Sequence, residues 1–338
     1  SVRDFDIVTL DRLKRIEIEP DYETWKEYAY KKGVHASVMT YLAARKKDFY
    51  KIENAADGKH FVTARGWDDL SEMIKLYEEN GLAVDEQLIC QYLQDARISK
   101  DFAIYYDLFN KYRSDYQVEK ILDGTVSESI VLRAERACMD ERLSLLGLIF
   151  DSVTAQLRTV CERENILDLV TGQLKALKEK LKDVSGAAAL LSEMIEAERE
   201  KLERGKQSSS ISPQAQRETR FMLEYLEEFR AAVMQSGTAQ KDEFSVVRES
   251  FAQKVAELKG LAADGSRVLE NVFLFCEKAF ADGDEILIFV TELTANYYSA
   301  RFIGRYGCDK YYMHNKQLQF DQRQQEIIKR MDEIQWTV

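Results

Sequence analysis

The chain has 338 residues, room for two or three domains, and 45% of them are hydrophobic, which supplies sizeable cores and excludes wholesale disorder. Its net charge of −11 excludes a generic polyanion binder, which needs clustered Lys and Arg, and makes nucleic acid an unexpected partner. Charged residues at 32%, with 2 Pro and 15 Gly, favour long helices over a turn-rich β fold, so the expected fold class is all-α.

In chain order, Ile16 and Ile18 alternate with Lys14, Arg15, Glu17 and Glu19, the pattern of a short strand near the N-terminus. Pro20-Asp21 opens a helix in which Tyr22, Trp25 and Tyr28–Ala29 share a face, and Gly33 ends it. A second helix from about His35 turns Val38, Tyr41 and Leu42 inward. Residues 51–62 read as a loop or short hairpin, with Asp57-Gly58 as the turn. Gly66 is expected to end an extended run and Asp68 or Asp69 to cap the next helix. The apolar face of that helix is Leu70, Met73, Ile74 and Tyr77, and Asn80-Gly81 is its stop signal. A short helix follows over Val84–Leu93. Then Phe102, Tyr105, Tyr106, Phe109, Tyr112 and Tyr116 recur at helical spacing, read as a core-facing stripe rather than a stacking platform for bases.

Arg65 stands just before the helix of Leu70. Its planar, permanently charged fork suits a phosphate or a carboxylate, and a surface pair with Asp68 or Asp69 is the plain alternative. Leu10-Asp11-Arg12, then the strand, two helices and Thr63-Ala64-Arg65-Gly66-Trp67 follow one another in an order that resembles the C-terminal end of a MoxR-like AAA+ ATPase. The resemblance covers roughly residues 8–125. Leu13 stands where the family has Phe, and Ala64 where it has Pro. It implies that Arg12 is an arginine finger acting in trans on a neighbour's γ-phosphate, and that Arg65 is the sensor-2 arginine, catalytic and phosphate-binding in its own subunit. It also implies ATP and Mg as cofactors of the parent enzyme. The implied partners are the AAA+ core of the same protein, neighbouring subunits of a ring and a von Willebrand factor A protein. The implied task is chaperone-like remodelling or metal insertion. The resemblance further implies three parts: residues 1–20 as a remnant of the nucleotide-binding core, 21–125 as a helical lid, and 126–338 as a C-terminal helical extension.

The sequence contains no G-x-x-x-x-G-K-[ST] loop. Its two Gly-Lys pairs, Gly58-Lys59 and Gly205-Lys206, lack the preceding Gly and the following Ser or Thr. The chain alone is therefore expected to be catalytically incompetent, the C-terminal part of a longer ATPase. The alternative is a non-catalytic helical scaffold.

Beyond Asp123-Gly124 the apolar rhythm of Leu146, Ile149, Val153, Leu157 and Val160, then Leu167, Val170, Leu174, Leu177, Leu181 and Val184, is a coiled-coil seam. Unbroken from about Ser127, that helix would run ~85 Å, with Thr171-Gly172 as the expected kink. It would pair with a helix over Ala187–Glu203 as a long antiparallel hairpin turned by Ser185-Gly186. Gly205–Pro213 reads as a linker. Met222, Leu226, Phe229 and Val233 mark one helix, and Phe244, Val247, Phe251, Val255 and Leu258 a second, stacking as another hairpin. Leu269–Phe280 is a further helix, and Ile286–Val290 a buried one continuing through Leu293, Tyr297 and Ala300. That run stops at Glu292, so no uninterrupted apolar stretch reaches the ~18 residues of a membrane span, and no membrane partner is expected.

From 301 to 323, basic and aromatic residues interleave. They read as a helical cap with aromatics inside and cations outside, in preference to a nucleic-acid grip. Cys90, Cys138, Cys161, Cys276 and Cys308 form no C-x-x-C pair, and Cys308 and His314 have no further ligands in view. No metal site is assigned, and free thiols in a reducing cytoplasm are the expectation.

Overall fold

A computed structural model describes residues 19–316 apart from 56–57, 183–185, 209, 238–242 and 282. The fold is all-α. Among the described residues are 14 helices, one of them a 3-10 turn, and a single two-stranded sheet. The chain forms two compact units, 1–111 and 112–338. The expected strand over 14–19 falls outside the described residues except for Glu19, which has no regular structure.

Unit 1 opens with α1 (Tyr22–Lys32). Asp21 caps it by accepting from the Thr24 amide, and Gly33 ends it at φ 76°. Helix α2 (Ala36–Ala44) buries Val38, Tyr41 and Leu42 as its spacing predicts. Strands β1 (Lys51–Ala55) and β2 (Gly58–Val62) pair antiparallel, from Lys51↔Val62 to Ala55↔Gly58. Helices α3 (Ala64–Glu79), α4 (Glu86–Tyr92) and α5 (Ala96–Asp115) follow. Phe102, Tyr106 and Phe109 of α5 are buried, as expected of a core stripe.

Trp67 lies at the centre of the unit 1 core, fully buried between Tyr41 and Phe102, with ring centroids 5.6 and 5.3 Å away. Its indole N–H donates to the Asp48 carbonyl, which supplies the partner a buried indole requires. Asp48 is itself buried, and its carboxylate accepts from Tyr41 and from Arg97.

The units divide at 111/112, inside α5, whereas the sequence signal at Asp123-Gly124 lies twelve or so residues on. The reason is packing. The Tyr116 hydroxyl donates to Glu141, and α6 (Val118–Leu122) packs on helices of unit 2.

In unit 2, α7 (Glu128–Arg136) stops at Ala137, and α8 (Met139–Lys180) runs 42 residues, ~63 Å. The single unbroken helix from Ser127 is thus corrected: the break falls at Ala137-Cys138, both extended, and α8 passes through Gly172. No Gly or Pro marks the break. Arg142, one turn into α8, satisfies the freed carbonyls instead, donating to the Ala137 and Glu135 oxygens. Its third arm meets the buried carboxylate of Glu285 at 2.8 Å.

The seam residues Leu146, Ile149, Val153, Leu157, Val160, Leu167, Val170 and Leu177 are all buried. Their partners extend beyond the expected hairpin with α9 (Ala187–Gln207). The second half of α8, α9, α10 (Pro213–Ser236) and the start of α11 (Glu243–Ala279) share one core, the two-hairpin bundle. Helices α9 and α10 run antiparallel: Arg199 meets Glu227 while Ser192 meets Arg230. The segment read as a linker is tied down where it is described, with Ile211 folded over Gly205 and Ser212 capping α10.

The two helices expected over 244–258 and 269–280 are one, the 37-residue α11. Gly260 and Gly265 lie inside it, and Gly265 admits Leu157 and Phe302, each 3.1 Å from where a Cβ would sit. Helix α12 (Glu285–Ala295) is buried as expected, but its expected continuation through Tyr297 and Ala300 is corrected: the chain turns extended at Asn296, whose side chain caps a separate helix, α13 (Tyr297–Tyr306). An 18-residue window of α8 has mean hydropathy 1.2, making it the one described helix long and apolar enough to cross a membrane; 50% of that window is buried in the protein, so much of its apolarity faces the core.

Candidate functional site

The expected phosphate-contacting arginine lies on the first turn of α3. Val62 ends β2 fully buried, and Thr63 turns the chain with extended dihedrals. Its hydroxyl accepts from the Gly66 amide at 3.2 Å, so Thr63 is the cap, and the expectation for Asp68 or Asp69 is corrected. Gly66 belongs to the helix rather than ending an extended run. It is Gly because a Cβ there would lie 2.7 Å from the Tyr92 carbonyl oxygen of α4. The same edge is held by the Phe61 amide, which donates to the Gln94 carbonyl at 3.0 Å.

Beneath this turn α3 is anchored by Trp67, Leu70 and Ile74, all fully buried, each large apolar side chain contributing on the order of 1.5–3 kcal/mol. Met73 and Tyr77, expected on the same face, are not among the fully buried core. Asp68 accepts from Lys32 of α1 and, at 3.4 Å, from the Tyr28 hydroxyl. Burial works against the Lys32 charge, but the Asp68 hydrogen bond and charge outweigh it, and the lysine is held above its ordinary pKa.

Arg65 itself points away from this scaffold. Its side chain is 87% exposed and makes an i,i+4 pair with Asp69, Nε to Oδ2 3.5 Å. Such an exposed pair is worth about 0–1 kcal/mol, so Asp69 holds the guanidinium only weakly. Arg12 lies outside the described residues.

Two other constellations turn out to be structural. Ser37, His35 and Glu78 stand in hydrolase order: His35 Nδ1 is 2.7 Å from the Ser37 hydroxyl, and its Nε2 is 3.2 Å from Glu78. Ser37 is fully buried, however, and His35 Nδ1 accepts from its amide as the cap of α2. Four basic residues of the 301–316 stretch, Arg301, Arg305, Lys310 and His314, are turned onto carboxylates of unit 2. Glu164, 3% exposed, receives Arg301, Arg305 and the Tyr306 hydroxyl, and burial with that hydrogen bond pushes Tyr306 up to about 12. Glu277 receives Lys310 and His314, with His314 stacked on Phe273. Phe302 and Tyr311 face inward as expected, but Tyr306 and Tyr312 are exposed, so the aromatics-inside reading holds only in part; Phe320 and Arg323 lie outside the described residues.

Glu164 and Glu285 escape the sequence pattern. Each sits on or beside an apolar stripe where only the partners, more than a hundred residues away, reveal its role. Cys161 and Cys276 are buried, and desolvation pushes the Cys161 thiol up to about 11. Among the described residues, no three His, Cys, Asp or Glu converge as a metal site.

No protein-family model matches the chain, and no curated protein or solved structure matches it.

Proposed function

We propose that residues 21–125 act as the helical lid of a MoxR-like AAA+ ATPase, closing over ATP and Mg held by a P-loop core of the same protein. In this reading Arg65 contacts phosphate in its own subunit, and Arg12 reaches the γ-phosphate of a neighbour in a cytoplasmic ring. Residues 126–338 are the C-terminal helical extension, which couples hydrolysis to chaperone-like remodelling or metal insertion, alongside a von Willebrand factor A protein. The observation that carries the reading is Arg65: a guanidinium 87% exposed on the first turn of a helix whose other face is fixed in the core. A rigid base and a weakly held charge are what a phosphate sensor needs, because a charge-assisted bond to phosphate is stronger than the surface pair it replaces. The helix N-terminus adds its own positive end to the same place.

The test is steady-state ATP hydrolysis by the complete protein carrying the P-loop core. Arg65→Ala slows turnover at least about tenfold, equivalent to ~1.4 kcal/mol of transition-state stabilisation. Arg65→Lys restores little, since an ammonium lacks the planar fork. Circular dichroism stays unchanged, because Leu70 and Ile74 are untouched. A folded Arg65→Ala protein hydrolysing at the wild-type rate, or a complete protein with no ATPase activity, refutes the reading.

A further inference from the structure

Unit 2 carries a cleft of about 560 Å³, a size typical of ligand and peptide sites. Both walls are helical. From α7 come Glu128, Val131, Leu132 and Glu135, and from α11 come Asn271, Leu274, Phe275 and Lys278. Each set follows i, i+3, i+4, i+7 and so forms one continuous helix face. The floor is fixed where α6 ends. Gly124 has φ +71°, and a Cβ there would lie 2.7 Å from Asn271 Oδ1, while Asn271 Nδ2 donates to the Leu122 carbonyl at 2.8 Å. The cleft is therefore preformed.

Its lips are apolar and wet: Leu132 is 41% exposed and Leu274 40%, one from each wall. Its rim is charged, and those charges are left over. Ion pairing is general on this surface; Arg133, also on α7, pairs with Asp115 and Glu141. Yet neither the Glu128 nor the Glu135 carboxylate meets a cation among the described residues, and Lys278 opposite meets no carboxylate among them. Glu128 and Glu135 are seven residues apart, two turns or ~10.5 Å.

We propose that this cleft is the docking groove for an amphipathic helix of a partner protein. The apolar stripe of that helix seats on Leu132, Leu274 and the half-buried Val131, over the buried Phe275. Lys or Arg residues seven apart along one edge meet Glu128 and Glu135, and an acidic residue on the other edge meets Lys278. Two helix faces in matched register offer the ridges between which a third helix packs, and apolar anchors at helical spacing are how such grooves are read. The rim charges select the partner and its direction more than they add affinity.

The experiment selects displayed random helical 18-residue peptides on the full chain, with counter-selection on Leu132→Asp/Leu274→Asp. The enriched peptides carry an apolar i, i+3/i+4, i+7 stripe flanked by Lys or Arg seven apart. By fluorescence anisotropy, their synthetic forms lose at least about tenfold in affinity for Glu128→Lys/Glu135→Lys, and peptides with Glu in place of those cations regain it. These side chains lie on the surface, and circular dichroism checks that every variant folds. Failure to enrich any peptide over the counter-selection overturns the proposal. So do neutral or acidic enriched edges, binding indifferent to the charge reversal, or a cleft that takes only small apolar dyes.

Discussion

Replacing Arg142 by Met should destabilise unit 2 by about 3 kcal/mol, more than any ordinary surface arginine would. The side chain is only a quarter exposed and engages three partners at once. It neutralises Glu285, whose side chain is 2% exposed, and it closes the end of α7 through the carbonyls of Ala137 and Glu135. Leaving one member of a buried pair without its partner costs about 3–5 kcal/mol, and the lower end applies because Arg142 retains some water. Met keeps an apolar stem of similar bulk but not the guanidinium that lies 5.7 Å over the Phe280 ring, so the loss is one of charge, ring contact and hydrogen bonds rather than volume. The assay is urea unfolding of the full chain followed at 222 nm. With a slope near ~3 kcal/mol/M, the midpoint of unit 2 falls by roughly 1 M. Glu285→Leu in the Arg142→Met background recovers part of the loss, since removing both charges is far milder than stranding one. An Arg142→Met midpoint within ~0.2 M of wild type, or a double variant less stable than the single, refutes the clamp.

Gly66→Ala drives a Cβ to 2.7 Å from a backbone oxygen that cannot swing aside; a loss of about 1–3 kcal/mol is expected, read from the fluorescence melt of Trp67 next door. A melt unchanged or raised would contradict the packing of α3 on α4. Asp95 is pushed up by burial but drawn down further by Lys51 and the Ile98 amide, so its folded pKa lies below the unfolded value. Its contribution is therefore present above about pH 4 and is lost as pH falls through the folded pKa. Lys51→Met should lower the stability of unit 1 at pH 7 and flatten its loss below pH ~4; an acid limb identical to wild type would show that the pair is not the source.

Much of the fold was legible because burial on one face of a helix prints itself on the sequence. Val38, Tyr41 and Leu42, then Phe102, Tyr106 and Phe109 of α5, and most of the seam from Leu146 to Leu177 are buried where their spacing put them, while Tyr105, Tyr112 and Leu174 are only half-buried. What was hidden depends on partners distant in sequence. The break at Ala137-Cys138 has no Gly or Pro because Arg142 does the capping from the following helix. The gap between the apolar marks ending at Leu258 and resuming at Leu269 is helical too, and Gly265 within it is a contact point of α11. At the candidate site, the position of Arg65 before the apolar face of α3 could be read directly. The choice of Thr63 over the aspartates as cap could not, because Asp68 is engaged by Lys32, 36 residues back. A threonine three residues before an amide it can reach was the available signal.

The most direct measurement of the central claim is ATPase rate in mixed rings of the complete protein, pairing each arginine variant with a P-loop variant. If Arg12 acts on a neighbour, Arg12→Ala mixed with the P-loop variant regains activity, because some interfaces then join an intact P-loop to an intact Arg12. If Arg65 serves its own subunit, Arg65→Ala in the same mixture gains nothing, since every site lacks one of the two groups. Equal rescue of both variants, or of neither, contradicts the account.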